Sequence, residues 1–317
     1  MEQKLWDACK DGKIEDVIKL LQNSHININW QDFESKTPFW TACRYGHIEI
    51  VKLLLNDKRV NINKTLSSGE TPFYIACEKG HIRIVELLLN DQRVDVNNAE
   101  NKYSRTPFWI ACYKDDARIV KSLLNDQRVD INKSTNDDWT PFFIACWNGH
   151  IEIVKLLLSD NRVKINKADK YGQTPFYIAC CKGYIEIVKL LLNDKRIEIN
   201  KANKYDQTPF WIACHNGHIE IVEYIIASGR KVNVNIKDNG GQTAIDIARN
   251  RANEEKLWEP EQRFQKRKRG CSKIVELLES FERNPIETRF KLRMKLGLIG
   301  KIQFDLFIFI YLSLLCI

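Results

Sequence analysis

Short apolar runs alternate with polar stretches along most of the chain, and this alternation recurs at a fixed distance. Six segments begin with Thr-Pro-Phe and continue through an aromatic residue to Ala-Cys, as in TPFYIAC from Thr71 to Cys77. They start at Thr37, Thr71, Thr106, Thr140, Thr174 and Thr208, so that successive starts are 34 or 35 residues apart. A period of this length indicates stacked supersecondary units that share one continuous core.

One period, residues 71–105, predicts two helices followed by a loop. Thr71 is a good N-cap, and Pro72 suits the first helical position, where its missing N–H costs nothing. Gly80 can adopt the left-handed conformation that ends a short helix. In HIRIVELLLND, which follows, apolar residues recur at helical spacing and define a second helix. The segment RVDVN (93–97) alternates polar and apolar residues and predicts an extended stretch of a hairpin.

These features together resemble the ankyrin repeat family. TPFYIACEKGHIRIVELLL stands where that family has its T-P-L-H-x-A signature, and the cap, the proline, the helix-ending glycine and the period agree with it. The resemblance implies an all-α ankyrin-repeat solenoid of about eight helix-turn-helix units with short β-hairpin loops. An Asn-Asp-x-Arg segment with one added residue replaces the glycine that usually follows the second helix, which explains a period of 34.

The repeats define the expected domain boundaries. We expect one elongated domain over residues 1–284 and a basic, then hydrophobic tail over 285–317. The repeats are expected near 1–36, 37–70, 71–105, 106–139, 140–173, 174–207, 208–242 and 243–284. The first lacks the Thr-Pro opening and is predicted to cap the stack, and the last contains a charged insertion at 251–270 before a second helix at 272–281.

Composition and cysteine usage predict a folded intracellular protein. Hydrophobic residues make up 44% of the chain and charged residues 28%, which is enough apolar material for a core. Seven cysteines hold one position in successive repeats: Cys9, Cys43, Cys77, Cys112, Cys146, Cys180 and Cys214. Stacked helices lie about 8–10 Å apart, too far for a disulfide, so we expect reduced thiols. The opening MEQKLWDACKDGKIEDV lacks the apolar segment of a secretory signal, which also favours a cytoplasmic location.

The residues that differ between repeats are the candidates for function, because the repeated ones serve the core. In the family that the chain resembles, the two positions after Ala-Cys are typical contacts with a partner. They give these candidates: Arg44, Tyr45, Glu78, Lys79, Tyr113, Lys114, Trp147, Asn148, Lys182, His215 and Asn216. Exposed Tyr and Trp are enriched in interface hot spots, so Tyr45, Tyr113 and Trp147 are the predicted anchors. The alternative is that these letters vary neutrally at solvent positions.

Other polar groups favour structural roles. Asp115-Asp116-Ala117 replaces Gly-His-Ile in the fourth repeat and predicts a remodelled turn. Histidines begin four of the second helices (His47, His81, His150 and His218), too far apart to share a metal. Each Asp-x-Arg predicts a local salt bridge. Since no phosphate loop, nucleophile elbow or metal motif is present, we expect no enzyme, no metal and no cofactor.

Positive charge concentrates near the end of the chain. Residues 249–317 contain 15 Lys or Arg against 9 Asp or Glu, so they carry +6 of the total +8. Lys266 to Arg269 resembles a nuclear-import patch, although such runs also occur in solvated helices. The apolar stretch 306–317 is shorter than a spanning helix. Three interpretations of 296–317 stay open: a tail anchor, a segment packed on the repeats, or translated non-coding sequence.

The expected function is a non-enzymatic scaffold or adaptor for protein binding in cytoplasmic signalling. It would bind a partner protein along the concave repeat surface and act as a monomer. Nucleic acid is disfavoured, because the basic residues are not interleaved with a stacking platform. Two alternatives remain: a membrane-tethered adaptor anchored by 296–317, and more remotely an enzyme whose chemistry would depend on Asp115, Asp116 or Cys181.

Overall fold

Seventeen helices joined by turns make up the part of the chain that is described, residues 1–255 and 260–298 of a computed structural model, and that part contains no strand. The chain divides into two compact units, Met1–Lys170 (unit 1) and the part from Tyr171 onward (unit 2). Unit 1 contains α1 Glu2–Asp11, α2 Ile14–Leu21, α3 Pro38–Tyr45, α4 Ile48–Asn56, α5 Pro72–Lys79, α6 Ile82–Leu89, α7 Pro107–Tyr113, α8 Ala117–Leu124, α9 Pro141–Asn148 and α10 Ile151–Leu158. Unit 2 contains α11 Pro175–Lys182, α12 Ile185–Asn193, α13 Pro209–His215, α14 Ile219–Ala227, α15 Ala244–Asn253, α16 Glu261–Arg283 and α17 Pro285–Lys295.

The first helix of each Thr-Pro repeat begins at the proline, as predicted. The hydroxyl of Thr71 accepts a hydrogen bond from the Tyr74 N–H at 3.0 Å, and the other five threonines make the same cap. Gly80 ends α5 with a φ of 77°, in the left-handed region that glycine adopts without strain. The eight predicted helix pairs are therefore confirmed, and they follow from local capping chemistry repeated along the chain.

The core lies between the two helices of each repeat and between neighbouring repeats. In the repeat at 71–105, Phe73 and Cys77 of α5 are buried together with Ile84 and Val85 of α6. The seven cysteines at the repeated position are all buried. The aromatic residues of the TPF motif thus pack inside the repeats, which is why the phrase recurs.

The segment after each second helix consists of tight turns, not the extended stretch predicted from its alternating pattern. The Val94 N–H donates to the Asp91 carbonyl at 3.1 Å, while the Val94 side chain is buried. Between repeats, the Asn97 amide donates to the Arg128 carbonyl at 2.6 Å and accepts from the Asp130 N–H at 2.7 Å. Asparagine side chains therefore take the place that strand ladders would occupy.

The loops before the Thr-Pro motifs fold back as hairpin turns. The Glu100 N–H donates to the Arg105 carbonyl at 3.0 Å and closes one such loop. This loop contacts the preceding loop through the Asn101 N–H, which donates to the Ser68 carbonyl at 2.9 Å. The Asn101 side chain also donates to the Ser67 carbonyl at 3.1 Å, so this loop is held by its own turn and by two hydrogen bonds to the preceding loop.

The Asp-x-Arg segments form the local salt bridges that the sequence predicts, and they also join repeats. Arg128 pairs with Asp126 at 2.6 Å. The same guanidinium donates to the Leu89 carbonyl of the preceding repeat at 2.6 Å, where α6 ends. The arginine therefore satisfies a carbonyl that a helix end leaves without a partner.

The last repeat differs from the predicted one, because the charged insertion at 251–270 is not a separate segment. Its first residues complete α15, and its second half, from Glu261, forms the start of the 23-residue helix α16. Lys, Arg, Gln and Glu are good helix formers, and Phe264 and Cys271 bury one face of this extension. The sequence analysis placed the start of this helix at Ser272 because the dense charge obscured its apolar positions.

The basic part of the tail is also helical. Asn284 caps α17, and Leu292 of this helix is buried. The Arg289 guanidinium donates to the Ile226 carbonyl at 3.1 Å, and Lys295 pairs with Glu223 at 2.6 Å. Within residues 1–255 and 260–298, none of the helices combines the length and hydropathy that a bilayer crossing requires. The hydrophobic stretch from residue 299 on, which carries the predicted anchor, lies outside the described residues.

Candidate protein-interaction surface

The predicted contact residues all lie at the ends of the first helices of their repeats. Unit 1 carries Arg44, Tyr45, Glu78, Lys79, Tyr113, Lys114, Trp147 and Asn148, and unit 2 carries Lys182, His215 and Asn216. All of them are exposed or half-buried, in contrast to the Ala-Cys pair that precedes them. Sequence position therefore placed these side chains correctly at the solvent boundary of each repeat.

Histidines from the following repeat fix the backbone of this surface. The His81 Nε2–H donates to the Arg44 carbonyl at 2.9 Å, and the His150 Nε2–H donates to the Tyr113 carbonyl at 3.0 Å. The imidazole of His81 lies so close to Gly46 that a Cβ there would meet it at 2.8 Å. The glycine and the histidine thus form one joint between repeats, which confirms the structural role predicted for the histidines.

The irregular fourth repeat keeps this turn with other residues. Asp115 takes the left-handed conformation, with a φ of 62°, where its neighbours have glycine. Asp116 replaces the histidine and caps α8, since its carboxylate accepts from the N–H groups of Arg118 and Ile119 at 3.2 and 3.1 Å. The predicted remodelling is therefore a change of cap: Asp115 forms the left-handed turn and Asp116 caps α8.

Around Tyr113 the structure assembles an aromatic and cationic cluster. The Tyr113 ring stacks on Trp109 with centroids 5.4 Å apart and an interplanar angle of 11°. The Arg105 guanidinium lies over the rings of Tyr103 and Trp109, at 4.7 and 5.8 Å from their centroids. Tyr103 and Tyr113 expose 43% and 41% of their surface, whereas Trp109, on which Tyr113 stacks, is buried. The exposed rings therefore rest on a fixed base.

The next repeat continues this cluster through Trp139 and Trp147. Their rings stack with centroids 5.0 Å apart, and Trp147 also stacks on Phe143 at 6.1 Å. The indole N–H of Trp109 donates to the Trp139 carbonyl at 3.0 Å, which links the two clusters directly. We call the combined set, Tyr103, Arg105, Trp109, Tyr113, Trp139 and Trp147, the aromatic surface of unit 1.

Tyr45, the third predicted anchor, stands apart from the aromatic surface. Its ring stacks on His47 at 6.4 Å and is 46% exposed, beside Arg44. The repeat between carries Glu78 and Lys79, which pair with each other at 3.2 Å. The structure thus brings Tyr113 and Trp147 together and leaves Tyr45 in a separate, polar environment.

In unit 2, the predicted contact residues His215 and Asn216 belong to a hydrogen-bonded chain. His215 stacks on Trp211 with centroids 5.2 Å apart, and its Nδ1–H donates to the Asn216 side-chain oxygen at 2.8 Å. Its Nε2 accepts from the Arg251 Nε–H at 3.0 Å. Burial lowers the pKa of His215, and the nearby guanidinium groups of Arg251 and Arg267 lower it further. The imidazole is therefore a neutral acceptor that orients Arg251.

Several residues of these clusters were missed by the sequence analysis. Trp139 precedes Thr140 at a position where other repeats have Lys, Glu, Arg or Gln, so its difference from the other repeats could have identified it as a candidate. Tyr103 lies on a loop tip, whereas the predicted contact residues lie only at the ends of the first helices. Arg251 and Arg267 approach His215 only because α16 extends further than predicted.

The described residues offer no group of three or more His, Cys, Asp or Glu side chains arranged for a metal ion. Cys181, the thiol considered for chemistry, is half-buried, and burial raises its pKa above the ordinary value. A thiol in this state is a poor nucleophile, because the thiolate is the reactive form. The clusters described above can stack, form hydrogen bonds and attract charge.

Comparisons with known proteins agree with this fold. The family model for ankyrin repeats (3 copies) matches residues 5–100, 92–169 and 108–203, and the one for ankyrin repeats (many copies) matches residues 193–248. The crystal structure of the ankyrin repeat domain of Bcl-3, a member of the IkappaB protein family, is similar with a TM-score of 0.61. That match has 20% sequence identity and covers 67% of this chain and 93% of the other.

No curated protein sequence matches this chain. The family models alone extend over more than half of it, from residue 5 to residue 248. Ankyrin repeats are generally protein–protein interaction modules. The capped helix pairs, the joints between repeats and the family matches together show that the chain belongs to the ankyrin repeat family.

Proposed function

We propose that this protein is a non-enzymatic scaffold or adaptor that binds a partner protein through the aromatic surface of unit 1. The observation that carries the proposal is the stacking of Tyr113 on Trp109 and of Trp147 on Trp139, linked by the hydrogen bond from Trp109 to the Trp139 carbonyl. The other predicted contact residues of unit 1 would lie at the margin of this interface.

The chemistry of this surface suits protein recognition. Tyr, Trp and Arg are the residue types most enriched among interface hot spots. Because Tyr113 stacks on the buried Trp109 and Trp147 stacks on the buried Phe143, these two rings have little side-chain entropy left to lose when a partner binds. The Arg105 guanidinium, which already lies over two rings, adds a donor for a carbonyl or carboxylate of the partner.

We further propose a cytoplasmic location and a monomeric state for this adaptor, as expected from its reduced thiols and regular stack. A role in signalling would follow from the identity of that partner.

Photo-crosslinking in cells tests the proposal directly. Tyr113→p-benzoylphenylalanine places the probe on the aromatic surface, and Tyr205→p-benzoylphenylalanine places the same probe on an exposed loop tip of unit 2. We expect one protein to be captured from position 113 and not from position 205. Equal capture at both positions would contradict a specific surface.

Binding of that purified partner then measures the contribution of the rings. We expect Tyr103→Ala/Tyr113→Ala/Trp147→Ala to weaken binding by at least about tenfold, because hot-spot truncations cost more than about 1 kcal/mol each. The matched control Tyr171→Ala/Tyr205→Ala removes exposed tyrosines from equivalent loop tips in unit 2 and should leave affinity unchanged. Unaltered affinity in the triple variant, with folding intact by circular dichroism, would refute the assignment.

A further inference from the structure

Two adjoining cavities lie in unit 2 beside the start of α16. The first, of about 440 Å³, is lined by five cationic side chains, those of Lys182, Arg251, Arg263, Lys266 and Arg267, together with His215, Asn216 and His218. The second, of about 550 Å³, is lined by Gln262, Gln265, Arg269 and Lys273, among others. Both are lined by Gly217 and Lys266 and therefore adjoin, and we call the two together the basic groove.

A close backbone approach fixes the floor of the basic groove. A Cβ on Gly270 would lie 2.0 Å from the Gly217 carbonyl oxygen, and a Cβ on Gly217 would lie 2.4 Å from the Arg267 carbonyl oxygen. Glycine is thus required on both facing segments. This contact places α16 directly against the turn between α13 and α14, so the cations of α16 face the end of α13 at a set distance.

Positive charge dominates the first cavity. None of its lining residues carries a carboxylate. The nearby Glu254 pairs with Arg251 at 2.6 Å and with Arg267 at 2.9 Å, which orients both guanidinium groups. Lys266 has no ion pair with any residue of 1–255 or 260–298. Glu254 thus compensates two of the five cations that line the first cavity, and Glu261 lines the adjoining second cavity.

Burial and the nearby cations both lower the pKa of the histidines that line the groove. Burial lowers the pKa of His218, and the charges of Lys266 and Arg263 lower it further, against the hydrogen bond to the Cys181 carbonyl. Its Nε2 lies 3.1 Å from that carbonyl oxygen. Because the pKa values of these histidines are lowered, the positive charge of the site comes from its lysine and arginine side chains, which stay protonated at neutral pH.

We propose that the basic groove binds a phosphorylated side chain of a partner protein, with the phosphate in the first cavity and the flanking peptide along the second. Arginine forks match phosphate oxygens with paired hydrogen bonds, and a dianion compensates several clustered cations at once. The amide side chains of Gln262 and Gln265 and the apolar Ile219 suit a peptide backbone beside the phosphate.

Nucleic acid fits the groove less well. Single strands bind on aromatic platforms that stack successive bases, and neither cavity is lined by Trp, Tyr or Phe. The first cavity is lined by five cationic side chains and no carboxylate, whereas the second is lined by three cations and Glu261, so positive charge is greatest in the first. This site is independent of the aromatic surface of unit 1, so either can fail in experiment without the other.

The test uses the purified full-length chain and three degenerate peptide pools, each with a fixed central phosphoserine, phosphothreonine or phosphotyrosine. Fluorescence anisotropy at about 0.15 M salt compares every pool with its unphosphorylated counterpart. We expect at least one phosphorylated pool to bind about tenfold or more tightly than its counterpart. We expect Arg263→Gln/Lys266→Gln to remove about tenfold or more of that affinity, since each lost charge-assisted hydrogen bond changes binding by about that factor.

The matched control Lys231→Gln/Lys237→Gln lowers the net charge equally at exposed positions of unit 2 outside the groove, and should change affinity by less than about twofold. Inorganic phosphate should compete only at far higher concentration than the peptide. The proposal is overturned if no phosphorylated pool exceeds its counterpart, if both double variants act alike, or if free phosphate competes as well as the peptide. A deoxyadenosine 12-mer that binds more tightly than every pool, and loses binding in Arg263→Gln/Lys266→Gln, would overturn it in favour of nucleic acid.

Discussion

Replacement of Glu100 by glutamine is expected to destabilise unit 1 strongly, although the two side chains have the same shape. The Glu100 side chain is only 2% exposed. One carboxylate oxygen accepts from the Tyr103 N–H at 2.9 Å, the Arg105 N–H at 3.2 Å and the Arg105 Nε–H at 3.0 Å, and the other accepts from the Lys102 N–H at 2.8 Å. Four donors thus converge on one carboxylate.

The magnitude follows from what glutamine cannot do. Its amide oxygen can accept three of these bonds, but its NH₂ group then faces the Lys102 N–H, and an unpaired buried N–H costs about 1–3 kcal/mol. Loss of the negative charge weakens the bond to the Arg105 guanidinium by about another 1 kcal/mol. We therefore expect Glu100→Gln to lower the free energy of unfolding by about 2–4 kcal/mol.

The pH dependence gives an independent check. Burial would raise the pKa of Glu100, but the hydrogen bonds from Arg105, Lys102 and Tyr103 outweigh burial and lower it. A lowered folded pKa means that the carboxylate stabilises the protein fully above its unfolded value of about 4.3 and loses this effect as pH falls through the folded pKa. The stability gap between wild type and Glu100→Gln should be constant above about pH 5.5 and narrow below about pH 4.

Urea unfolding, followed by circular dichroism between pH 3 and 8, measures both effects, with slopes compared so that loss of cooperativity is not mistaken for loss of stability. Glu152→Gln is the matched control, because Glu152 makes an exposed ion pair with Lys155 at 2.7 Å and should matter by no more than about 0.5 kcal/mol. A loss below about 1 kcal/mol for Glu100→Gln, or a gap that stays constant on acidification, would refute the reasoning.

Three further changes test the joints and the core. His81→Ala removes the hydrogen bond to the Arg44 carbonyl and should cost about 1–2 kcal/mol in urea unfolding; no loss would show that the ring is not a joint. Asp116→Ala removes the cap of α8 and should cost about 1 kcal/mol, a loss that Asp116→Asn should largely avoid. In a Cys316→Ser background, native protein at pH 8 should show no thiol that reacts rapidly with Ellman's reagent except at most Cys181, and nine should react after denaturation, because burial raises the pKa of the core thiols. Rapid reaction of several thiols in the native state would contradict the packing.

The helix pairs could be predicted from the sequence because their determinants are local. A threonine cap, a proline and a glycine each act within one turn of helix, so Thr71, Pro72 and Gly80 carry the information for α5 by themselves. The spacing of apolar residues then defines the second helix without reference to other repeats. Repetition made the threonine and proline signals visible six times and the glycine signal five times.

Contacts between repeats could not be predicted in the same way. Asn97 and Arg128 interact across more than 30 residues, and nothing in either local sequence indicates that the turn after α6 would be held by a side-chain amide. The extended segment was predicted from alternation alone, which buried turn residues such as Val94 and Val96 also produce. The segment forms a turn and not an extended strand because its hydrogen-bonding partners lie in the neighbouring repeat, and the packing of the repeats determines those partners.

The candidate sites show the same division. Positions at helix ends identified Tyr113 and Trp147, because a repeat unit fixes which residues face solvent. Trp139 and Tyr103 join them only through the loops, whose paths depend on turns such as the one around Glu100. The basic groove could not be predicted because α16 begins at Glu261, and the many charged residues of 261–271 hid the apolar positions that would have indicated a helix there. The close approach of Gly270 to Gly217 depends on the tertiary fold and cannot be predicted from either local sequence.

The asparagine contacts between repeats have a consequence for how such a chain can change in length. Asn97 donates to the Arg128 carbonyl, and one period later Asn132 donates to the Arg162 carbonyl at 2.8 Å. If residues 106–139 were deleted as a block, Asn97 would face Arg162 and find the same acceptor at the same place. Gene duplication or deletion in whole periods would therefore preserve this asparagine junction within unit 1. Side chains within one repeat would move together, so a binding surface that spans three repeats, such as the aromatic surface, would be recombined without new core chemistry.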